Sequence, residues 1–337
     1  MTSRPRIIAT LATLALASAA VVGTGTLANA QPKPAVQIAV PAYFNDDASW
    51  DRAINTPEVG FIIAHPDSPA SGKPFVADAE LTKHVAQARA KGIKTLIYVT
   101  AGYEKVSWQD TETRVDSAFG AYPTADGVFL DEINYDQCDK YSNFAKGISG
   151  TAGFRGRHPG KFLTLNTGAP MLNCYEGSAD AYLNLERAQA DVPAWIENVF
   201  LKSNAPYYAW MFKAENRSAI WQMVHSVSPS QVGAAVDAAL TRNASVIFVT
   251  PDLMPNPYDN FPDDAAWKAL VERVAAYNSG KVALPAVKGP VVVVATVGAL
   301  APAATVKPVA SVTATTKKPI KLVKPSVKKK IVVKKKK

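Results

Sequence analysis

The amino-acid sequence predicts a (β/α)8 barrel. Eight short apolar runs of strand length alternate with segments of helical spacing over roughly 245 residues. This alternation implies a parallel sheet, and a barrel of eight such units has about 250 residues. A doubly wound open sheet is the alternative, but no G-x-G-x-x-G follows the first strand and there is no P-loop motif.

The strands are predicted from apolar runs that end in polar or turn residues. The fourth run shows the pattern best, because Gly127-Val-Phe-Leu ends abruptly in Asp131 and Glu132. The predicted strands, in chain order, are residues 37–43, 59–65, 94–100, 127–133, 162–166, 181–186, 207–212 and 245–250.

Helices are predicted where apolar residues recur three or four positions apart. Residues 78–91 are typical, with Leu81, Val85 and Ala88 on one face and Gly92 as the C-cap signal. The predicted helices, in chain order, are residues 49–55, 78–91, 111–121, 137–148, 192–201, 219–225 followed by 229–241, and 263–277.

Residues 1–30 are expected to be a secretory signal peptide. Two arginines precede an apolar run that ends near Val22, and Ala28 and Ala30 fit a cleavage site. A retained membrane anchor is the alternative, but the run is shorter than the roughly 20 residues of a span. Cleavage after Ala30 would make this a secreted, extracellular protein.

Charge is distributed unevenly between the predicted barrel, residues 31–280, and a tail, residues 281–337. Of the 37 Lys and Arg residues, two lie in the signal peptide and 13 lie from Lys288 onward. The residues between the signal peptide and Lys288 therefore contain 22 basic and 28 acidic residues. The tail is rich in Ala, Val and Pro and then in Lys, and we expect it to be disordered. Its partners would be anionic cell-wall or matrix polymers. An acidic body argues against specific nucleic-acid binding.

The active site of such barrels lies at the carboxyl ends of the strands. The predicted strand ends and the loops after them carry acids, an amide and aromatics, as carbohydrate sites do. These residues are Tyr43, His65, Thr100, Tyr103, Asp131, Glu132, Asn166, Glu186, Trp210, Asp252 and Tyr258.

Glycoside hydrolysis requires two carboxyl groups in different environments. Asp131 and Glu132 are adjacent, and neighbours on an ideal strand face opposite sides. Either the strand twists so that both reach the cleft, or one of them supports the other, with Glu186 as the second functional acid. The structural alternative is that Asp131 caps a turn and Glu186 pairs with Arg187.

Several segments, in order, resemble the spherulation-specific family 4 over residues 37–278. They are Val40-Pro-Ala-Tyr-Phe with Trp50, Phe61-Ile-Ile-Ala-His-Pro-Asp-Ser, Tyr98-Val-Thr with Tyr103, Asp126-Gly-Val-Phe-Leu-Asp-Glu, Leu165-Asn-Thr-Gly, Ala179-Asp leading to Glu186, and Val249-Thr-Pro-Asp followed by Asn256-Pro-Tyr.

The resemblance implies a (β/α)8 fold and a secreted, endo-acting glycoside hydrolase that cuts galactosamine-containing exopolysaccharide. It places the catalytic carboxylates at Asp131, Glu132 and Glu186, and it adds Tyr98 to the substrate-binding residues. The chain departs from the family at His65, where Asn is usual, and at Ile97, where Gly is frequent. His65 could donate to a sugar oxygen or serve a structural role.

Cys138 follows the fourth predicted strand and Cys174 the fifth, so both lie in adjacent mouth loops and are expected to form a disulfide. Two free thiols are the alternative. These cysteines and four scattered histidines show no metal-ligand spacing, so we expect neither metal nor cofactor. We also expect a monomer.

The predicted function is therefore endo-cleavage of an amino-sugar polysaccharide by carboxylate acid/base catalysis. The rival is a non-catalytic polysaccharide-binding protein held at the cell surface by its basic tail. A peptidoglycan-acting enzyme is a second, weaker rival.

Overall fold

The protein is described here by a computed structural model. It describes residues 35–67, 73–103, 105–146, 152–195 and 208–288, all within one compact unit. The predicted barrel is confirmed, because eight parallel strands pair in chain order and β1 closes on β8. The predicted signal peptide and the tail beyond residue 288 lie outside the described residues.

Seven of the eight strands occur where the sequence predicts them. The strands are β1 Gln37–Ala42, β2 Val59–Ala64, β3 Lys94–Thr100, β4 Gly127–Asp131, β5 Phe162–Asn166, β6 Ala181–Ala188, β7 Ile220–His225 and β8 Val246–Val249.

The described α-helices lie between the strands or after β8. They are α1 Asp47–Ile54, α2 Ala79–Ala90, α3 Trp108–Ala121, α4 Cys138–Lys146, α5 Phe154–Arg157, α6 Val192–Trp195, α7 Val232–Thr241 and α8 Asp264–Asn278. Residues 147–148 and 196–201 of the predicted helices lie outside the described ranges.

The predicted seventh strand, 207–212, is wrong, and so is the helix predicted at 219–225. Residues Ala209–Phe212 form a 3-10 helix, and Ile220–His225 is the strand. A short apolar run does not distinguish a buried strand from a buried helical segment. The aromatic ring of Trp210 packs edge-on against Tyr182 at 5.0 Å, outside the sheet pairing.

Polar residues at the helix starts explain several boundaries. Asp46, Asp78, Ser107 and Asp263 each accept a hydrogen bond from the backbone N–H three residues later. Such N-caps satisfy donors that the helix itself leaves free. In the described part of the chain, no helix has both the length and the apolar character to span a bilayer.

Aromatic side chains from distant strands meet at the amino-terminal end of the barrel. Phe61 on β2 and Phe162 on β5 lie 4.6 and 6.3 Å from the Trp221 ring on β7. The Lys94 ammonium group lies 4.7 Å from the Phe162 ring centre. These side chains therefore pack against one another across this end of the barrel.

Candidate active site

An acidic cleft of about 590 Å³ lies at the carboxyl ends of the strands. It contains seven of the predicted site residues, with side chains from β4, β5, β6 and β7 and from the loops around them. The cleft is lined by Tyr43, Tyr103, Asp131, Glu132, Asn166, Thr167, Gly168, Glu186, Arg187, Ala188, Asp191, His225, Met254, Pro255, Asn256, Pro257 and Tyr258.

At the base of the cleft, one amide links two carboxylates. Asn166 Nδ2 donates to Asp131 Oδ1 at 2.6 Å and to Glu186 Oε2 at 2.8 Å. Asn166 is itself buried, and its Oδ1 accepts from the Gly168 backbone N–H at 2.7 Å. The amide is therefore held by the chain in the orientation that points its donors at the two acids.

Burial raises the pKa of Asp131 from 3.8 to about 7, and the nearby charge of Glu186 adds to the rise. The hydroxyl of Tyr98 donates to Asp131 Oδ2 at 2.8 Å, and this hydrogen bond partly offsets the rise by lowering the pKa of Asp131. Two carboxyls this close do not both ionise readily, so near neutral pH the pair retains a proton.

The backbone at Glu132 explains how two adjacent acids reach one cleft. Glu132 has φ 57°, in the left-handed region, so the chain turns sharply after β4 and the usual alternation of sides ends there. Thr100 Oγ1 donates to Glu132 Oε2 at 2.5 Å, and the Tyr103 N–H donates to the Glu132 carbonyl at 2.8 Å. A strained residue fixed from two sides is typical of a functional position.

A bulge in β6 directs Glu186 into the cleft. Leu183 pairs with Trp221 and Leu185 with Gln222, so Asn184 has no register partner. With strict alternation the Glu186 side chain would lie on the face of β6 opposite to Leu183. The extra residue at the bulge puts the two side chains on the same face. Asn184 instead accepts from Gln222 Nε2 at 3.1 Å.

Tyr258 closes one side of the acid pair. Its ring is buried, and its centre lies 5.7 Å from that of Tyr43. Burial raises the pKa of the Tyr258 phenol, and Glu186 beside it raises it further. The pKa of Tyr43 also rises with burial and with the charge of Asp131. Both phenols are therefore neutral hydrogen-bonding groups at the cleft.

His65 is adjacent to the cleft but does not line it. Its ring packs against Tyr43 at 4.3 Å and Tyr98 at 4.6 Å, on the side of a neighbouring cavity of about 620 Å³. Burial lowers the pKa of His65. In the structure it packs against Tyr43, which lines the cleft, and against Tyr98, which donates to Asp131; direct contact with a substrate stays a prediction.

Besides His65, three predicted substrate-binding residues do not line the cleft: Tyr98, which lies behind it and donates to Asp131, Trp210 and Asp252. Trp210, assigned to the strand that does not form, is buried, and its Nε1 donates to the Met171 carbonyl at 3.0 Å. Asp252 follows β8, and its carbonyl accepts from the Ser226 N–H at 2.9 Å. Burial raises the pKa of Asp252.

The cleft also contains residues that the sequence reading missed. His225 ends β7, and its Nδ1 lies 3.0 Å from Ser226 Oγ. Burial lowers its pKa, and the charge of Glu186 opposes that effect. The sequence does contain a pattern that could have predicted His225, because Ile-Trp-Gln-Met-Val-His is a strand-length apolar run that ends in a polar residue. Arg187 and Asp191 follow Glu186 and extend the charged surface.

A disulfide joins two loops at the mouth. Cys138 and Cys174 are bonded, with their Cα atoms 5.5 Å apart, and they connect the start of α4 to the loop after β5. Asn134, on the same loop as Cys138, accepts from the Tyr175 hydroxyl at 2.5 Å. The loops that follow Glu132 and Asn166 are therefore tied together.

Fold and cleft define a (β/α)8-barrel protein with three carboxylates at the functional end of the strands. Comparison with family models specifies the class further. The model of the spherulation-specific family 4 matches residues 37–274, well over half of the chain, and the protein belongs to that family. No curated protein matches the chain.

Solved structures similar to this chain have low sequence identity to it. Sph3 from Aspergillus clavatus, solved in complex with GalNAc, is 20% identical with a TM-score of 0.54, covering 72% of this chain and 98% of that one. The GH99 endo-alpha-mannosidase from Bacteroides thetaiotaomicron is 14% identical with a TM-score of 0.43, covering 71% and 82%. The glycoside hydrolase domain of PelA from Pseudomonas aeruginosa is 12% identical with a TM-score of 0.39, covering 65% and 95%.

Proposed function

We propose that this protein is a secreted, endo-acting glycoside hydrolase that cleaves an amino-sugar polysaccharide of the galactosamine type. The observation that carries the proposal is the Asn166 amide, which holds Asp131 and Glu186 side by side in an acidic cleft. Family membership, and the GalNAc in the Sph3 structure, support the choice of substrate.

The acid pair has the two protonation states that glycoside cleavage needs. The protonated carboxyl donates to the leaving oxygen, while the ionised one stabilises or attacks the anomeric carbon. The pKa of Asp131, about 7, keeps a proton on the pair near neutrality. Glu132, held by Thr100, adds negative charge beside the developing oxocarbenium ion.

The spacing of the pair favours retention of configuration. Because Asp131 Oδ1 and Glu186 Oε2 accept from the same nitrogen, they lie within about 5.5 Å of each other. Retaining enzymes have carboxyl groups about 5–5.5 Å apart, whereas inverting enzymes need roughly 6.5–9.5 Å to admit a water. We therefore expect the first product to carry the anomeric configuration of the substrate.

The rim of the cleft suits a chain rather than a single sugar. Tyr103 is 49% exposed and Met254 is 66% exposed, and both line the cleft above the acids. Apolar and aromatic surfaces of this kind stack on sugar rings. The substrate can then contact the protein on both sides of the scissile bond, as endo-cleavage requires.

Residues 31–287 should be tested against partly deacetylated and N-acetylated galactosamine and glucosamine polymers, with purified sacculi as a separate substrate. We expect chain shortening that is lost in Asp131→Asn and in Glu186→Gln. Asp51→Asn is the matched control, because Asp51 is exposed on α1, away from the cleft. Binding without turnover from pH 4 to 8 would favour the non-catalytic rival, and activity on sacculi alone would favour the peptidoglycan rival.

Azide rescue would separate the roles within the pair. In a retaining enzyme, azide replaces a missing nucleophile and yields a glycosyl azide of inverted configuration, whereas rescue of a missing acid/base yields the retained one. The alanine variants of Asp131 and Glu186 should give opposite anomers. The same anomer from both would contradict a retaining mechanism by this pair.

We also propose that the protein is exported and that its Lys-rich tail holds it on acidic wall or matrix polymers. The 13 lysines from Lys288 onward, without an acid among them, support this part of the proposal. Deleting residues 289–337 should abolish salt-sensitive retention on cells while soluble-substrate activity stays unchanged. Equal retention of the shortened protein would remove the anchoring role.

A further inference from the structure

Outside the cleft, α1 and α2 bring three ligand-type side chains together. The carboxylates of Asp47 and Glu80 and the imidazole of His84 have ligand atoms within 4.8 Å of one another. Glu80 and His84 are one helical turn apart on α2 and therefore share a face, and Asp47 is the first residue of α1. The scattered positions of the histidines in the sequence conceal this arrangement.

The His84 ring is rigidly held. The residue is 2% exposed, and its ring stacks on Trp50 with 4.8 Å between centres and 3° between planes. Its Nδ1 lies 3.3 Å from Gln87 Oε1, a hydrogen-bond acceptor. When Nδ1 donates to Gln87, Nε2 has a free lone pair. A hydrogen-bond acceptor on the other ring nitrogen, as Gln87 is here, typically orients a metal-binding histidine.

The Nε2 atom is directed at the two acids without a good hydrogen bond. It lies 3.1 Å from Asp47 Oδ1, yet it is buried and makes no hydrogen bond of acceptable geometry to any described residue. A lone pair this close to a carboxylate oxygen is repelled unless a cation lies between them. Asp47 and Glu80 are each 68% exposed on the side chain, so ions can reach the opening.

A cation already occupies part of this space. Lys83 Nζ lies 3.0 Å from Asp47 Oδ1 and 2.5 Å from Glu80 Oε2. Its side chain is 43% exposed and flexible, so it can move into solvent.

We propose that Asp47, Glu80 and His84 form a binding site for a divalent transition metal of the zinc class. Imidazole with two carboxylates suits zinc and its neighbours rather than calcium or magnesium, and water would complete a tetrahedral shell. The metal displaces the Lys83 ammonium group, and small side-chain movements bring the ligands to bonding distance. It links α1 to α2, the helices that follow β1 and β2, apart from the acid cleft.

The test is calorimetric titration of the purified protein with zinc chloride, supported by cobalt(II) absorption spectra. We expect one site whose affinity falls at least tenfold in Asp47→Asn and in Glu80→Gln. Lys83→Met should tighten binding because it removes the competing cation. Both acids are exposed, so these isosteric changes preserve the fold. Asp131→Asn with Glu186→Gln is the control for binding in the cleft.

The His84 variant best separates a metal site from a nonspecific acidic patch. A nonspecific acidic patch also loses affinity when an acid is removed, but the metal site additionally requires the imidazole, so His84→Gln must abolish the tetrahedral cobalt spectrum. The proposal is overturned if wild type shows no binding at millimolar zinc. It is equally overturned if the acid variants bind like wild type, if Lys83→Met binds more weakly, or if the cobalt spectrum persists without His84.

Discussion

Replacing Asp131 with Asn should stabilise the protein at alkaline pH and abolish its activity. Asp131 has a pKa of about 7 in the folded protein against 3.8 ordinarily, because it is buried beside Glu186. A carboxyl with a raised folded pKa binds more protons when folded. Its favourable contribution is complete below the unfolded pKa and is lost as pH rises through about 7.

The structure sets the size of this effect. At about 1.4 kcal/mol per pH unit, the two pKa values give a ceiling of about 4 kcal/mol at pH 8.5. Asn occupies the same space without the charge, and its carbonyl can still accept from Tyr98 or Asn166. We expect a gain of about 1–3 kcal/mol at pH 8.5, because a neutral amide accepts from those donors more weakly than a carboxylate does, and almost none at pH 4.

Urea unfolding at pH 4 and pH 8.5 would measure the gain, with Asp126→Asn as a control. Asp126 precedes the same strand at its other end, where its Oδ2 accepts from the Thr95 N–H at 3.0 Å. That substitution should destabilise the protein by about 1–3 kcal/mol at pH 8.5. A pH-independent gain for Asp131→Asn, or a loss at pH 8.5, would refute the reasoning.

Three further predictions follow from individual contacts. Tyr98→Phe removes the hydrogen bond that lowers the pKa of Asp131, so the alkaline limb of the pH–activity profile should move up by about one pH unit. The control, Tyr122→Phe, should leave the limb in place. An unmoved limb in Tyr98→Phe would contradict the role of the bond. Reducing the Cys138–Cys174 disulfide, which closes a loop over a sequence separation of 36, should lower the free energy of unfolding by about 3–4 kcal/mol. A Cys138→Ser, Cys174→Ser variant should be insensitive to reductant. Unchanged stability of the wild type under reductant would count against this prediction. Gly127→Ala would place a Cβ 2.1 Å from the Phe162 carbonyl oxygen and should lower the free energy of unfolding by more than about 3 kcal/mol. Gly120→Ala, which has open space around it in α3, should be neutral or stabilising by up to about 1 kcal/mol. Equal melting temperatures for the two variants would show that the β4–β5 contact relaxes.

Much of the barrel was predictable because its strands are short apolar runs bounded by turn residues. The run before Asp131 and Glu132 is short, apolar and bounded by turn residues, which favours a buried strand, and strand order then places both acids at the functional end. The seventh strand was mispredicted because Tyr-Tyr-Ala-Trp-Met-Phe and Ile-Trp-Gln-Met-Val-His are equally apolar. The choice between them depends on pairing with β6 and β8, which local sequence does not encode.

That error had a direct consequence for the site. Assigning the strand to residues 207–212 placed Trp210 at the mouth and left out His225, which ends the true β7 and lines the cleft. His65 shows a different limit. Its position near the mouth followed from strand counting, but its packing behind Tyr43 and Tyr98 depends on side-chain directions that only neighbouring strands determine.

By itself, the sequence determined the barrel class, the family resemblance and the three candidate carboxylates, because strand-length apolar runs and the residues that end them are local features. Only the tertiary structure decided how the acids face one another. The left-handed backbone at Glu132, the bulge at Asn184 and the bridging amide of Asn166 each depend on contacts between strands. The proximity of His84 to Asp47 has the same origin, because it requires two helices to pack side by side.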